Sequence, residues 1–105
     1  MSNRMRVVYK QKVKPEFLDE YLQYHQEVWP ELVAVYKEAG VTDISCFINN
    51  HDLLVFFEYD RDIFNQKKEW LDKNNVEIKW QKIMSGFKDD NYGTSTFEEV
   101  YRFPG

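Results

Sequence analysis

Apolar and polar residues alternate from residue 5 to 13, with Met5, Val7, Tyr9 and Val13 on one face and mostly charged residues on the other. That period of two predicts a half-buried first strand. Lys14-Pro15-Glu16 then opens a helix, with Pro15 in the first turn, where its missing N–H costs nothing. Phe17, Leu18, Tyr21, Leu22, His25 and Trp29 recur at helical spacing along its inward side. Pro30 breaks or kinks that helix, residues 31–39 continue it, and Gly40 ends it. Two apolar runs, 44–49 and 53–59, are joined by Asn-Asn-His-Asp and predict a hairpin. Residues 60–71 carry Ile63, Phe64, Lys67, Trp70 and Leu71 at helical spacing, and a second short helix places Val76, Trp80, Ile83 and Met84 inward. Residues 85–95, rich in glycine and aspartate, form a loop. Phe97, Glu99, Tyr101 and Phe103 then alternate with Glu98, Val100 and Arg102 in a last strand.

This order predicts an α+β domain of the ferredoxin-like βαββαβ type, a four-stranded antiparallel sheet with its helices on one face. Leu53, Val55 and Phe57 alternate with Leu54 and Phe56, so the middle strands are apolar on both faces. Helices on one side leave the other uncovered, which predicts a homodimer whose two sheets face each other.

Composition narrows the function. A single domain over residues 1–105 is long enough to bury its own core. The first ten residues lack the apolar run of a secretory leader, and the longest apolar stretch, 53–57, is too short to cross a bilayer. The single cysteine, Cys46, excludes an internal disulfide and fits a reducing cytoplasm; its apolar surroundings predict a small buried residue. A net charge of −4 with interspersed signs argues against nucleic acid. Of the two histidines, His51 falls in a polar turn without ligand spacing to His25, so no metal site is expected. Phe, Tyr and Trp make up 17% of the chain, which suggests a sugar- or ring-binding pocket, a second buried surface, or both.

His25 is the candidate for chemistry. It stands on the apolar side of its helix, one turn after Tyr21 and one turn before Trp29. A buried imidazole needs a partner or a task, and histidine is the side chain suited to moving protons near neutral pH. On spacing alone a satisfied core or interface histidine is the commoner reading. Glu31 reads as a first-turn carboxylate, favourable at a helix amino end whatever the chemistry.

The string Tyr21-x-x-x-His25-x-x-x-Trp29-Pro30-Glu31-Leu32, with Gly40, Trp80-x-Lys82-x-Met84 and the closing Glu99-Val100-Tyr101, resembles the L-rhamnose mutarotase family along essentially the whole chain. The resemblance implies a small dimeric α/β-barrel enzyme, an isomerase that interconverts the α and β anomers of a 6-deoxy-hexose without metal or other cofactor. In that reading His25 matches the catalytic proton donor, Tyr21 a sugar-contacting tyrosine, and Trp80 the first of two adjacent sugar-contacting tryptophans. Gln81 stands in place of the second tryptophan and Ile44 in place of a strand tyrosine. Those departures leave L-rhamnose the first substrate and make L-fucose a rival, since altered contacts change which hydroxyls are satisfied. Trp29 either contacts the sugar or packs at the Pro30 kink. His25 is expected to protonate the ring oxygen, Tyr21 to bind a hydroxyl or relay a proton, and a water or carboxylate to be the alternative base. Two other classes compete: a cofactor-free monooxygenase or haem-handling dimeric α/β barrel, and a non-catalytic ligand-sensing dimer.

Overall fold

The structure is a computed structural model that describes residues 3–104. The outermost positions of the expected domain, Met1, Ser2 and Gly105, lie outside the described residues. Strands β1 (Arg4–Lys12), β2 (Val41–Asn49), β3 (Asp52–Asp60) and β4 (Ser95–Glu98) form one antiparallel sheet in the order β2-β3-β1-β4. Helices α1 (Leu18–Gln26) and α2 (Pro30–Glu38) follow β1, and α3 (Arg61–Asp72) and α4 (Asn75–Phe87) follow β3. This is the ferredoxin-like α+β fold that the pattern predicts. Among the described residues no helix is long and apolar enough to cross a membrane.

Local chemistry places the joints. Pro15 sits in a short 3₁₀ turn ahead of α1. Asp60 and Asn74 cap α3 and α4, each accepting from two backbone N–H groups of the first turn at 3.0–3.2 Å. Asn50 turns the β2–β3 hairpin at φ 57°, a left-handed conformation that asparagine tolerates. His51 belongs to that turn, its carbonyl accepting from the Val13 N–H at 2.9 Å. Gly40 ends α2 at φ +90°, and a Cβ there would stand 2.9 Å from Ile63 Cβ. Gly40→Ala is therefore expected to lower stability by roughly 1–3 kcal/mol through backbone strain, with further loss from the clash, read as a lower denaturant midpoint at unchanged slope.

The register sorts the sheet into two faces. Tyr9 pairs with Val55, Gln11 with Leu53 and Cys46 with Val55. Leu53 and Val55 join Val13, Tyr21, Leu32, Trp80, Met84 and Phe87 in the core beneath the helices. On the opposite face lie Val8, Phe47, Leu54, Phe56 and Phe97, of which Phe47, Leu54 and Phe97 are exposed.

Three expectations are corrected. The first helix ends at Gln26, and Trp29 is extended at ψ 127° as the residue before α2, because Pro30 disfavours a helical predecessor. Trp29 consequently leaves the face shared by Tyr21 and His25. Helix α4 runs on to Phe87, past the Ser85 and Gly86 expected in a loop, because burying Phe87 holds its last turn in place. The last strand stops at Glu98. Val100, Tyr101 and Phe103 beyond it are among the most exposed apolar residues, since nothing within one chain covers them.

Candidate active site

Between the helices and the inner face of the sheet lies a hollow of about 580 Å³, within the common size range of small-molecule sites. His25 and Tyr21 from α1, Ile44 and Cys46 from β2, and Trp80 and Gln81 from α4 all line it. Of the six candidate site residues, Trp29 alone is absent from this lining. It packs edge-on against Trp80 at 5.0 Å and lies under the Lys79 ammonium, in a separate shallow depression with Glu31.

His25 is held on three sides. Its ring stacks on Tyr21 with centroids 4.2 Å apart and meets the Trp80 edge at 5.5 Å. Its Nδ1 lies 2.8 Å from the Tyr21 carbonyl oxygen. A carbonyl can only accept, so Nδ1 carries the proton and Nε2 keeps its lone pair. Burial lowers the imidazole pKa from its ordinary value near 6.5, the Tyr21 carbonyl opposes this, and the Lys88 charge lowers it again. The resting ring is thus a neutral proton acceptor near pH 7.

Tyr21 is 3% exposed, and burial, with the neighbouring Cys46 and Tyr9, raises its phenol far above the usual range. It can donate a hydrogen bond but cannot serve as a base at neutral pH. Cys46, expected to be buried, is instead exposed on the wall of the hollow, although loss of water around it still pushes its thiol up.

The hollow also presents groups that match hydroxyls. Gln81 Nε2 donates to the Tyr36 hydroxyl at 3.3 Å and to Glu77 Oε1 at 3.0 Å. Both amide hydrogens are then used and the Gln81 oxygen is free to accept. Gln11 donates through Nε2 to Thr94 at 3.0 Å, while its Oε1 is buried without a partner. A buried acceptor left unpaired is costly, and a ligand hydroxyl would satisfy it. Gln11, Tyr36 and Lys88 were not among the residues the sequence pointed to. Gln11 carried a signal, being the polar interruption on the otherwise apolar inward face of β1. Among the described residues no cluster of three His, Cys, Asp or Glu side chains is arranged to hold a metal.

The family profile described as L-rhamnose mutarotase matches residues 6–103. The chain belongs to the L-rhamnose mutarotase family. An L-rhamnose mutarotase from Flavobacterium johnsoniae is 29% identical over 96% of this chain and 97% of its own length. Another from Burkholderia ambifaria is 32% identical over 75% of each chain. The crystal structure of an L-rhamnose mutarotase from Formosa agariphila superimposes with a TM-score of 0.72 at 25% identity, covering 94% of this chain and 98% of that one. A cofactor-independent oxygenase from Streptomyces nogalater also superimposes, with a TM-score of 0.61 over 99% of this chain and all of that one (100%). Its 9% identity shows a shared fold alone. Membership of the mutarotase family makes this chain kin to carbohydrate isomerases, and His25, Tyr21 and Trp80 converge here on one hollow.

Proposed function

We propose that this protein is a mutarotase that interconverts the α and β anomers of a free 6-deoxy-hexose, with L-rhamnose as the first substrate. The observation that carries the reading is His25: a neutral imidazole with Nδ1 tied to a carbonyl and Nε2 unbound, lining a hollow of suitable size. Anomer exchange opens the ring at the C1–ring oxygen bond and closes it on the other face of the aldehyde. Opening removes a proton from the anomeric hydroxyl and delivers one to the ring oxygen. In this tautomer His25 accepts first, taking the anomeric proton at Nε2 and returning it on closure. That reverses the order expected from the sequence, in which the same residue began as the acid. The edge of Trp80 and the stacked Tyr21 keep the imidazole in place, while Gln11 and Gln81 offer acceptors for sugar hydroxyls.

L-Fucose is the second substrate to consider, because the two departures from the family pattern, Ile44 and Gln81, both line the hollow. An apolar residue and an amide there alter which hydroxyl orientation is satisfied. Saturation-transfer NMR on both sugars at equal concentration tests this. Faster enzyme-dependent exchange of rhamnose is expected, a reversed order would assign fucose, and no acceleration of either would exclude both sugars. The oxygenase-like alternative gains no specific support, since the free amide oxygens suit a hydroxylated ligand better than a flat apolar one.

The same reading takes the active form to be a homodimer built on the face of the sheet away from the helices. Phe47 is 59% and Phe97 49% exposed there, and the alternating segment after β4 leaves Val100, Tyr101 and Phe103 uncovered. A second copy of this face would bury these residues. Sedimentation is expected to give the mass of two chains, and a monomer at every concentration would contradict the arrangement.

A further inference from the structure

Ring opening moves two protons, and His25 accounts for one of them. We propose that Lys88 is the second proton carrier, its ammonium protonating the sugar ring oxygen while His25 Nε2 takes the proton of the anomeric hydroxyl. This assignment rests on the mutarotase reading and adds to it a catalytic group outside the helix that carries His25.

The position of Lys88 supports the role. It lies just past the end of α4, yet its backbone is fixed rather than loose: it pairs with Val13 in an isolated antiparallel bridge. Flanking hydrogen bonds run from the Lys14 N–H to the Phe87 carbonyl and from the Asp89 N–H to the Lys12 carbonyl, both at 2.8 Å. The side chain, half-buried, lines the same hollow as His25. Among the described residues no carboxylate is ion-paired with it, although Lys12, Lys67, Lys68 and Lys73 all have such partners. An unpaired ammonium drawn away from water is unfavourable, and such lysines concentrate where a charge or a proton is used. Its charge reaches His25, where it helps to keep the imidazole neutral. The titratable groups that share the hollow with it are His25 and Tyr21 from α1, Tyr9 from β1, Cys46 and Asp43 from β2, and Tyr36 and Lys37 from α2.

The step balances without a co-reactant. As the C1–ring oxygen bond breaks, its electron pair goes to the ring oxygen, which takes a proton from Lys88 Nζ. The anomeric O–H bond yields its electrons to form the C1 carbonyl, and its proton passes to His25 Nε2. Closure on the opposite face returns both protons, leaving a neutral imidazole and an ammonium. Burial lowers the Lys88 pKa from 10.5, with the nearby Cys46 opposing, which makes it a readier acid than a surface lysine.

The test compares wild-type protein with Lys88→Met and Lys88→Ala on whichever sugar the wild type exchanges. A carrier predicts that kcat falls by roughly 10²-fold or more with KM changed little. It also predicts that the alkaline fall in wild-type activity disappears from the variants, and that added ethylamine restores part of the Lys88→Ala rate. Wild-type kcat in Lys88→Met, or a loss confined to KM, would overturn the assignment. A wild-type protein that exchanges no sugar overturns the mutarotase reading together with this step, whereas an active wild type with equally active variants overturns this step alone.

Discussion

Replacing His25 by asparagine is expected to reduce catalysed anomer exchange by about 10²–10⁴-fold, the usual contribution of one well-placed proton carrier. The amide keeps a hydrogen bond to the Tyr21 carbonyl but cannot accept a proton at neutral pH, so folding survives while catalysis does not. Circular dichroism and the unfolding midpoint check the first half, and NMR exchange rates the second. The acid limb of the wild-type pH profile belongs to the same group. Burial, reinforced by the Lys88 charge and partly opposed by the Tyr21 carbonyl, leaves the imidazole more acidic than usual. Activity should therefore persist below pH 6.5 and fall only as the pH drops through that lowered value. A limb at or above the ordinary histidine range would mean that the imidazole is not desolvated when it works.

Trp80→Ala is expected to have the largest effect on stability. The indole is 6% exposed in the core and meets the rings of Trp29 at 5.0 Å, His25 at 5.5 Å and Tyr24 at 6.0 Å. Removing a buried tryptophan typically costs about 3–5 kcal/mol, which is most of the stability of a marginal domain. Urea unfolding should show a large fall in midpoint. Trp80→Phe, which keeps a ring beside His25, should fold and separate the packing role from the site role: a fall in kcat without a large fall in midpoint identifies support of the imidazole.

The two periods in the sequence made most of the fold legible. Strand alternation and helical spacing placed the first three strands, the start of the fourth and both helical segments, and α2 ends at Gly40 as expected, with the approach of Ile63 as a further reason for glycine there. Tyr21 and His25 were legible as a pair because residues four apart on one helix must be neighbours, and their rings do stack. Trp29 was misplaced because spacing ran a face straight through Pro30, whereas the pre-proline restriction turns the chain before that residue. The segment after β4 misled in a different way. Alternation reports that a segment suits burial on one side, not that its own chain supplies the cover, and Tyr101 and Phe103 are left exposed. Lys88 could not be found by pattern at all, since it reaches the hollow through a bridge to Val13, far away in sequence.

These cases share a cause. Residues delivered by their own helix can be read from spacing, while Gln11, Tyr36 and Lys88 are delivered by strand pairing and helix packing. The hollow is consequently richer in polar groups than the sequence string implied. One imidazole on an apolar helix face becomes a ring that shares its hollow with two amides, three phenols and two ammonium groups.

The account is tested most directly by saturation-transfer NMR of L-rhamnose with the purified wild-type protein. Enzyme-dependent transfer between the two anomeric resonances, increasing in proportion to protein concentration above the rate in buffer, is the predicted result. Transfer no faster than in buffer, for rhamnose and for every other aldose tried, would contradict it.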